Sequence, residues 1–205
     1  MGFWGTFVVS RSTASPRELV DGLEDVLVER CTGGWLDSLP APWAVWQVWA
    51  TSAQLTESTW QDLEVSSKGP VIACEVFDSD GARLDMFSEP SGHWMTYLEI
   101  KGVVSHQLLP PAPFDADGNW LDDASITKMN ADYEREFEAE CARLRAAVPT
   151  GLAAAERARS WALDAGLAVP CPPSELAARF EHEGAFVEDS FFELLACLGL
   201  RQGSS

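Results

Sequence analysis

Residues 69–100, "GPVIACEVFDSDGARLDMFSEPSGHWMTYLEI", alternate apolar and polar side chains in three short runs broken by "SDG" and "EPSG". A period of two sends successive side chains to opposite faces of a strand, and Asp/Gly or Pro/Ser/Gly clusters reverse the chain. The stretch therefore predicts three antiparallel strands near 70–78, 82–88 and 94–100. One face collects Ile72, Cys74, Val76, Leu84 and Met86. The other collects Glu75, Asp85, Tyr97 and Glu99 beside Ala73, Phe77, Phe87 and Met95. A glutamate amid Val, Ile, Ala, Cys and Phe indicates that this second face is not simply core.

The hairpin loop sets which residues meet across the strands. A three-residue loop, Ser79-Asp80-Gly81 with Gly81 left-handed, pairs Val76 with Leu84, Cys74 with Met86 and Glu75 with Asp85. A two-residue turn at Asp80-Gly81 mixes the faces, because a slip of one residue turns every side chain over. A symmetric loop around "EPSGH" then pairs Asp85 with Tyr97 and Arg83 with Glu99. Opposed carboxylates repel by up to about 1 kcal/mol in water. Partly buried, they share a proton or bind a cation. Glu75, Asp85, Tyr97 and Glu99, with His93 close by, are thus the candidate catalytic or metal-binding residues. The competing account is a solvated face neutralised by Arg83.

The flanking segments predict an α+β chain. "FWGTFVVS" and the Trp-rich "WAVWQVWA" (43–50) have strand composition, giving a mostly antiparallel sheet of about five strands. Ser15, Pro16 and Glu18 form an N-terminal helix signature, and Leu19, Leu23, Val26 and Leu27 extend the pattern toward Arg30. "TESTWQDLEVSS" suggests a short helix. From Ser125 on, Ile126, Met129, Tyr133, Phe137, Cys141, Leu144 and Val148 recur at helical spacing, and three shorter helices fit 151–165, 174–182 and the stretch around Phe191. The predicted organisation is a β-rich α+β unit over 1–101, a Pro-rich connector over 102–124 and a helical part over 125–205 that packs on the sheet in the same compact domain.

Charge narrows the function classes. The 205 residues carry a net charge of −18, spread along the chain. Such a surface repels nucleic-acid phosphates and anionic lipid, so neither direct nucleic-acid nor membrane binding is expected, while a basic protein is attracted. The start, "MGFWGTFVVSRS", lacks the basic and apolar regions of a secretory signal. Five cysteines, odd in number and without a Cys-x-x-Cys pair, argue for core thiols in a reducing cytoplasm over a disulfide scaffold.

Other motifs weaken on inspection. "FDADGNW" has the alternating acids of a calcium loop, but Trp120 stands where glycine belongs and Ile126 where the last glutamate belongs, so it reads as an Asp/Gly turn. "FDSDGA" fails as such a loop because Ala82 replaces the third ligand. His93, His106 and His182 lack helical zinc-site spacing. No cofactor signature appears. Among nine tryptophans, Trp43 and Trp49 share one strand face and Trp46 takes the other. Trp35, Trp43 and Trp46 are the candidate partner-binding residues, since Trp is enriched where interfaces concentrate their energy.

"MGFWGTFVV", "GPVIACEVFDSD" and "WMTYL" together resemble small cytosolic proteins of actinobacteria over roughly the first hundred residues. The resemblance implies a compact bacterial domain and brings no catalytic residues with it. Acidity without a catalytic motif points to a non-enzymatic interaction protein, such as an immunity-type neutraliser of a basic partner. The alternatives are an enzyme or metal-binding protein using the carboxylate face, and a small-molecule binding module.

Overall fold

The computed structural model describes residues 2–50, 55, 57–181 and 184–201. Six strands form one antiparallel sheet in the order β2-β3-β1-β4-β5-β6. They are β1 (Gly5–Ser10), β2 (Val28–Arg30), β3 (Ala44–Val48), β4 (Val71–Phe77), β5 (Gly81–Ser88) and β6 (Gly92–Leu98). The helices are α1 (Pro16–Leu19), α2 (Glu57–Ser67), α3 (Ile100–Gln107), α4 (Asp123–Ala147), α5 (Gly151–Asp164), α6 (Pro173–Glu181) and α7 (Val187–Cys197). The chain is α+β with a helical C-terminal half.

Each sheet face has its own cover. Phe7, Val9, Trp43, Ile72, Cys74, Leu84, Met86 and Trp94 point to one side and form a core with α5, α6 and α7. Trp161 of α5 is fully buried there, and its indole N–H donates to the Phe87 carbonyl at 2.9 Å. On the other side Val8, Trp46, Val71, Ala73 and Phe87 pack with Leu23, Trp60 and Leu63. Further along that face Phe77 and Tyr97 pack with Val103, Val104, Cys141 and Leu144. The alternation read from the sequence holds because both of its faces have an apolar lid over part of their area.

Two elements differ from the sequence-based expectation. The helix expected over 16–30 stops after one turn. Ser15 and Glu18 do form the expected capping box, with Ser15 N–H donating to the Glu18 carboxylate at 3.0 Å. Beyond Leu19, however, the Arg17 guanidinium donates to the carbonyls of Leu23 (3.1 Å) and Val26 (2.5 Å), which a continuing helix would use itself. The chain then runs along the sheet edge, where Val28 pairs with Val48. Sheet pairing and burial of Leu23 and Val26 override a weak helix propensity. Where the third strand was expected to end at about residue 100 and a connector to begin at 102, α3 (Ile100–Gln107) forms instead.

The cysteines also depart from expectation. Cys171 and Cys197 are joined by a disulfide, while Cys31, Cys74 and Cys141 are free. An odd count says nothing about which thiols meet once α6 and α7 pack side by side, so the cysteine pattern no longer argues for a reducing compartment. The bridge closes 26 residues of sequence separation. Loop-closure entropy assigns such a constraint about 3 kcal/mol. Reduction, or the Cys171→Ser variant, is expected to lower the urea-unfolding free energy by about that amount. An unchanged midpoint would mean the bridge does not form in solution.

Candidate functional site

The hairpin tip decides what the second sheet face looks like. Asp78 and Ser79 both sit in the left-handed region (φ 49° and 65°), and Asp80 N–H closes the turn on Phe77 O at 2.9 Å. Gly81 follows as the first residue of β5, opposite Phe77. It is glycine for a different reason than turn geometry. A Cβ there would lie 2.5 Å from the Val103 amide nitrogen, and one on Gly102 would lie 1.9 Å from Asp80 O. The tip and the start of α3 touch backbone to backbone.

This turn moves both hairpin registers by two residues from the expected pairing, which keeps every side chain on its face but changes its partner. Glu75 stands opposite Arg83, and Arg83 opposite Tyr97. Asp85 stands between Ala73 and Met95, and His93 opposite Phe87. The expected Glu75–Asp85 and Asp85–Tyr97 pairs do not form. Opposite charges, Glu75 and Arg83, now face each other across β4 and β5 in place of two opposed carboxylates.

Asp85 is almost fully buried and doubly held. Arg83 Nε lies 2.8 Å from its Oδ2 and Nη2 donates to Oδ1 at 2.9 Å. His93 Nε2 lies 2.8 Å from the same Oδ1. The imidazole stacks on Phe87, with ring centroids 4.3 Å apart and planes 7° from parallel. Half-burial works against the Arg83 guanidinium, but the Asp85 hydrogen bond and the fields of Asp85, Tyr97 and Glu75 outweigh it and hold its pKa above the ordinary value. Burial also raises the Tyr97 phenol, opposed by Arg83 and Arg143. The group is an internally neutralised ion cluster, with the carboxylate oxygens already occupied.

Glu99 does not join it. The residue lies past the end of β6 in a left-handed conformation, and its Oε1 accepts from Gly184 N–H at 2.7 Å. There it borders a cleft of about 520 Å³ that also includes Tyr97, Lys101, Arg145, Thr150 and Glu181. Both charge signs line this cleft, and its described lining residues include neither His nor Cys. His182 lies outside the described residues. None of the three free thiols is shifted toward its thiolate form. Burial raises the pKa of Cys74 and Cys141, and burial followed by the field of Glu29 pushes Cys31 up to about 11.

The aromatic candidates separate clearly. Trp43 is core, 5.9 Å from Trp161, and Trp46 is core on the opposite sheet face. Trp35 is half-buried against Phe192. The most exposed ring among the described residues is Trp120, 72% accessible, which is not among the partner-binding residues expected from the sequence. It packs on Phe114 at 4.5 Å across a small β-bridge. Asp115 builds that miniature hairpin by accepting from Asp117 N–H (2.9 Å) and Asn119 N–H (2.8 Å). The Asn119 backbone and side-chain hydrogen bonds, with those of Asp117 and Gly118, hold the Asp115 carboxyl below its usual range. Asp122 caps α4, accepting from Ser125 N–H at 2.7 Å. The available signal was context: Trp120 lies in a Pro, Asp and Gly segment with no periodic apolar neighbours to bury it.

The α4 stripe continues this surface. Of its predicted apolar residues only Cys141 and Leu144 are fully buried. Met129 and Tyr133 border a groove of about 430 Å³ with Leu108 and Leu109, and Leu109 is 76% exposed. No protein-family model matches the chain, and neither a curated protein nor a solved structure matches it. Among the described residues, no helix is long and apolar enough to cross a membrane.

Two outcomes follow. Asp85→Asn leaves Arg83 and His93 without their carboxylate and is expected to cost about 1.5–3 kcal/mol in urea unfolding. The double variant Arg83→Met/Asp85→Leu is expected to recover much of that loss, as apolar replacements of buried pairs do. A double variant no better than the single one would assign the pair a net stabilising value. Cys31 titrates above the ordinary thiol value of 9.0, so its neutral form favours the folded state. That contribution is fully present below pH 9 and fades as pH rises through about 11. Alkylation of Cys31 is expected to reach half its maximal rate near pH 11, and a midpoint near 9 would overturn the assignment.

Proposed function

We infer that this chain is an acidic interaction protein that docks a basic protein partner, the mode of action of immunity-type neutralisers. One observation carries the reading: a 72% exposed tryptophan, fixed on Phe114, stands among carboxylates. Asp115, Asp117, Asp122 and Asp123 surround it in sequence, and α4 carries Asp132, Glu134, Glu136, Glu138 and Glu140 against only Lys128 and Arg135 over residues 114–140. A rigid ring loses little entropy on burial and supplies affinity, while an acidic field speeds encounter with a cationic surface and rejects anionic ones. The half-covered groove along α4 adds an apolar track beside the acids. The partner that fits presents Lys and Arg around an apolar pocket.

The internal pairing of Asp85 and the turning away of Glu99 leave the sheet-face enzyme reading without two unengaged carboxylates. The cleft beside Glu99, lined by Lys101, Arg145 and Glu181, supports a second reading, a site for a small zwitterion.

Native mass spectrometry of complexes captured from extracts of the source organism tests the first. Wild type is expected to hold one basic protein stoichiometrically. Trp120→Ala is expected to weaken that complex by about 2 kcal/mol or more, roughly thirtyfold. Asp122→Lys/Asp123→Lys is expected to slow association, with the loss shrinking at high salt. A partner retained equally by both variants would move the interface elsewhere. A bound small molecule in place of a protein would favour the cleft.

A further inference from the structure

The hairpin tip carries a second cluster that neither the sheet face nor the acidic surface uses. Asp78 and Asp80 flank Ser79 in the turn, and His106 reaches the same point from the last turn of α3. One donor atom from each of the three lies within 4.8 Å of the other two. A divalent ion about 2.0–2.6 Å from each donor spans such a triangle with adjustments of a few tenths of an ångström. We propose that Asp78, Asp80 and His106 form a binding site for a single divalent transition-metal ion.

The site is built before any ion arrives. Gly2 N–H donates to Asp78 Oδ1 at 2.6 Å, which orients that carboxylate and leaves Oδ2 for the metal, the role outer-shell donors play at metal centres. Phe3 N–H donates to Ser79 Oγ at 2.8 Å and Ser79 N–H to Phe3 O at 3.1 Å, so the residue between the two aspartates cannot swing. His106 provides an observation independent of the acids. Its Nε2 is closed off from solvent and makes no hydrogen bond, although Asp80 Oδ2 is only 3.3 Å away. The pairing with Asp80 falls short of hydrogen-bond geometry, and coordination to a metal gives the ring nitrogen the directed contact it lacks. The edge-to-face contact with Trp4, centroids 4.9 Å apart, fixes the imidazole plane.

The donor set selects the ion. Two carboxylate oxygens with one imidazole suit Mn²⁺, Fe²⁺, Co²⁺ or Zn²⁺ better than Ca²⁺, which takes six to eight oxygens. Asp80 is 61% exposed, so water completes the coordination from the solvent side. The site is distinct from the calcium-like turn at Asp115, whose carboxylate is taken up by backbone N–H groups.

Equilibrium dialysis of the full, tag-free chain against MnCl₂, with metal quantified per protein, tests the proposal. Mn²⁺ is chosen because it avoids thiols, so the cysteines do not compete. Wild type is expected to bind one equivalent and to melt at a higher temperature with Mn²⁺ present. Asp80→Asn and His106→Gln are each expected to lower the affinity by about 100-fold or more, since even outer-shell changes cost 10–100-fold. Asp115→Asn is expected to bind as wild type. Asp80 is exposed, so its variant is expected to fold, which circular dichroism checks. Absence of Mn²⁺ binding by wild type up to millimolar concentration would overturn the proposal, as would equal binding by the Asp80→Asn/His106→Gln double variant.

Discussion

Ser79 is the residue on which the rest of the arrangement depends. Its backbone N–H reaches Phe3 O at 3.1 Å, and its carbonyl accepts from Val187 N–H at 3.0 Å. Its hydroxyl accepts from Phe3 N–H and donates to Glu188 at 2.5 Å. One buried serine thus ties together the start of the chain, the tip of the β4–β5 hairpin and the first turn of α7. Left-handed φ at a non-glycine residue is costly, and it persists when the surroundings over-determine it. Four hydrogen bonds to two other segments do that here.

Consequences run outward from this point. The turn sets the β4–β5 register and brings Arg83 opposite Glu75, two residue pairs away from buried Asp85. The same tip meets Gly102, which fixes where α3 begins and therefore where His106 ends up. α3 in turn supports α4 through Val103, Val104, Cys141 and Leu144, leaving the N-terminal half of α4 and the Trp120 hairpin with little cover. The ion cluster on the sheet is a means of closing a mixed face, and the uncovered chemistry lies at the two ends of α3 and α4.

Much of the architecture was legible from periodicity. The alternation over 69–100 assigned the faces of β4, β5 and β6 correctly, since each face is buried by a different set of residues and no alternative by one residue satisfies both. A slip of two residues leaves that pattern unchanged, which is why the pairing partners of Glu75 and Asp85 were not legible. Trp43 and Trp46 were read for partner binding, but a run of Ala, Val and Trp in a central strand is buried on both sides. Trp120 was the more informative ring because its neighbours could not bury it.

By itself the amino-acid sequence determined the class of fold, the strand faces, the long amphipathic helix and the strongly acidic surface, because these depend on local spacing and on charge, which every conformation of the chain carries. Only the tertiary structure decided the register at Asp78 and Ser79, the early end of α1, the Cys171–Cys197 bridge, the meeting of His106 with two aspartates and the exposure of Trp120. Each of these rests on contacts between residues far apart in the chain. Which hydrogen bonds and close approaches win is settled where the segments meet, and nothing in the nearby sequence reports it.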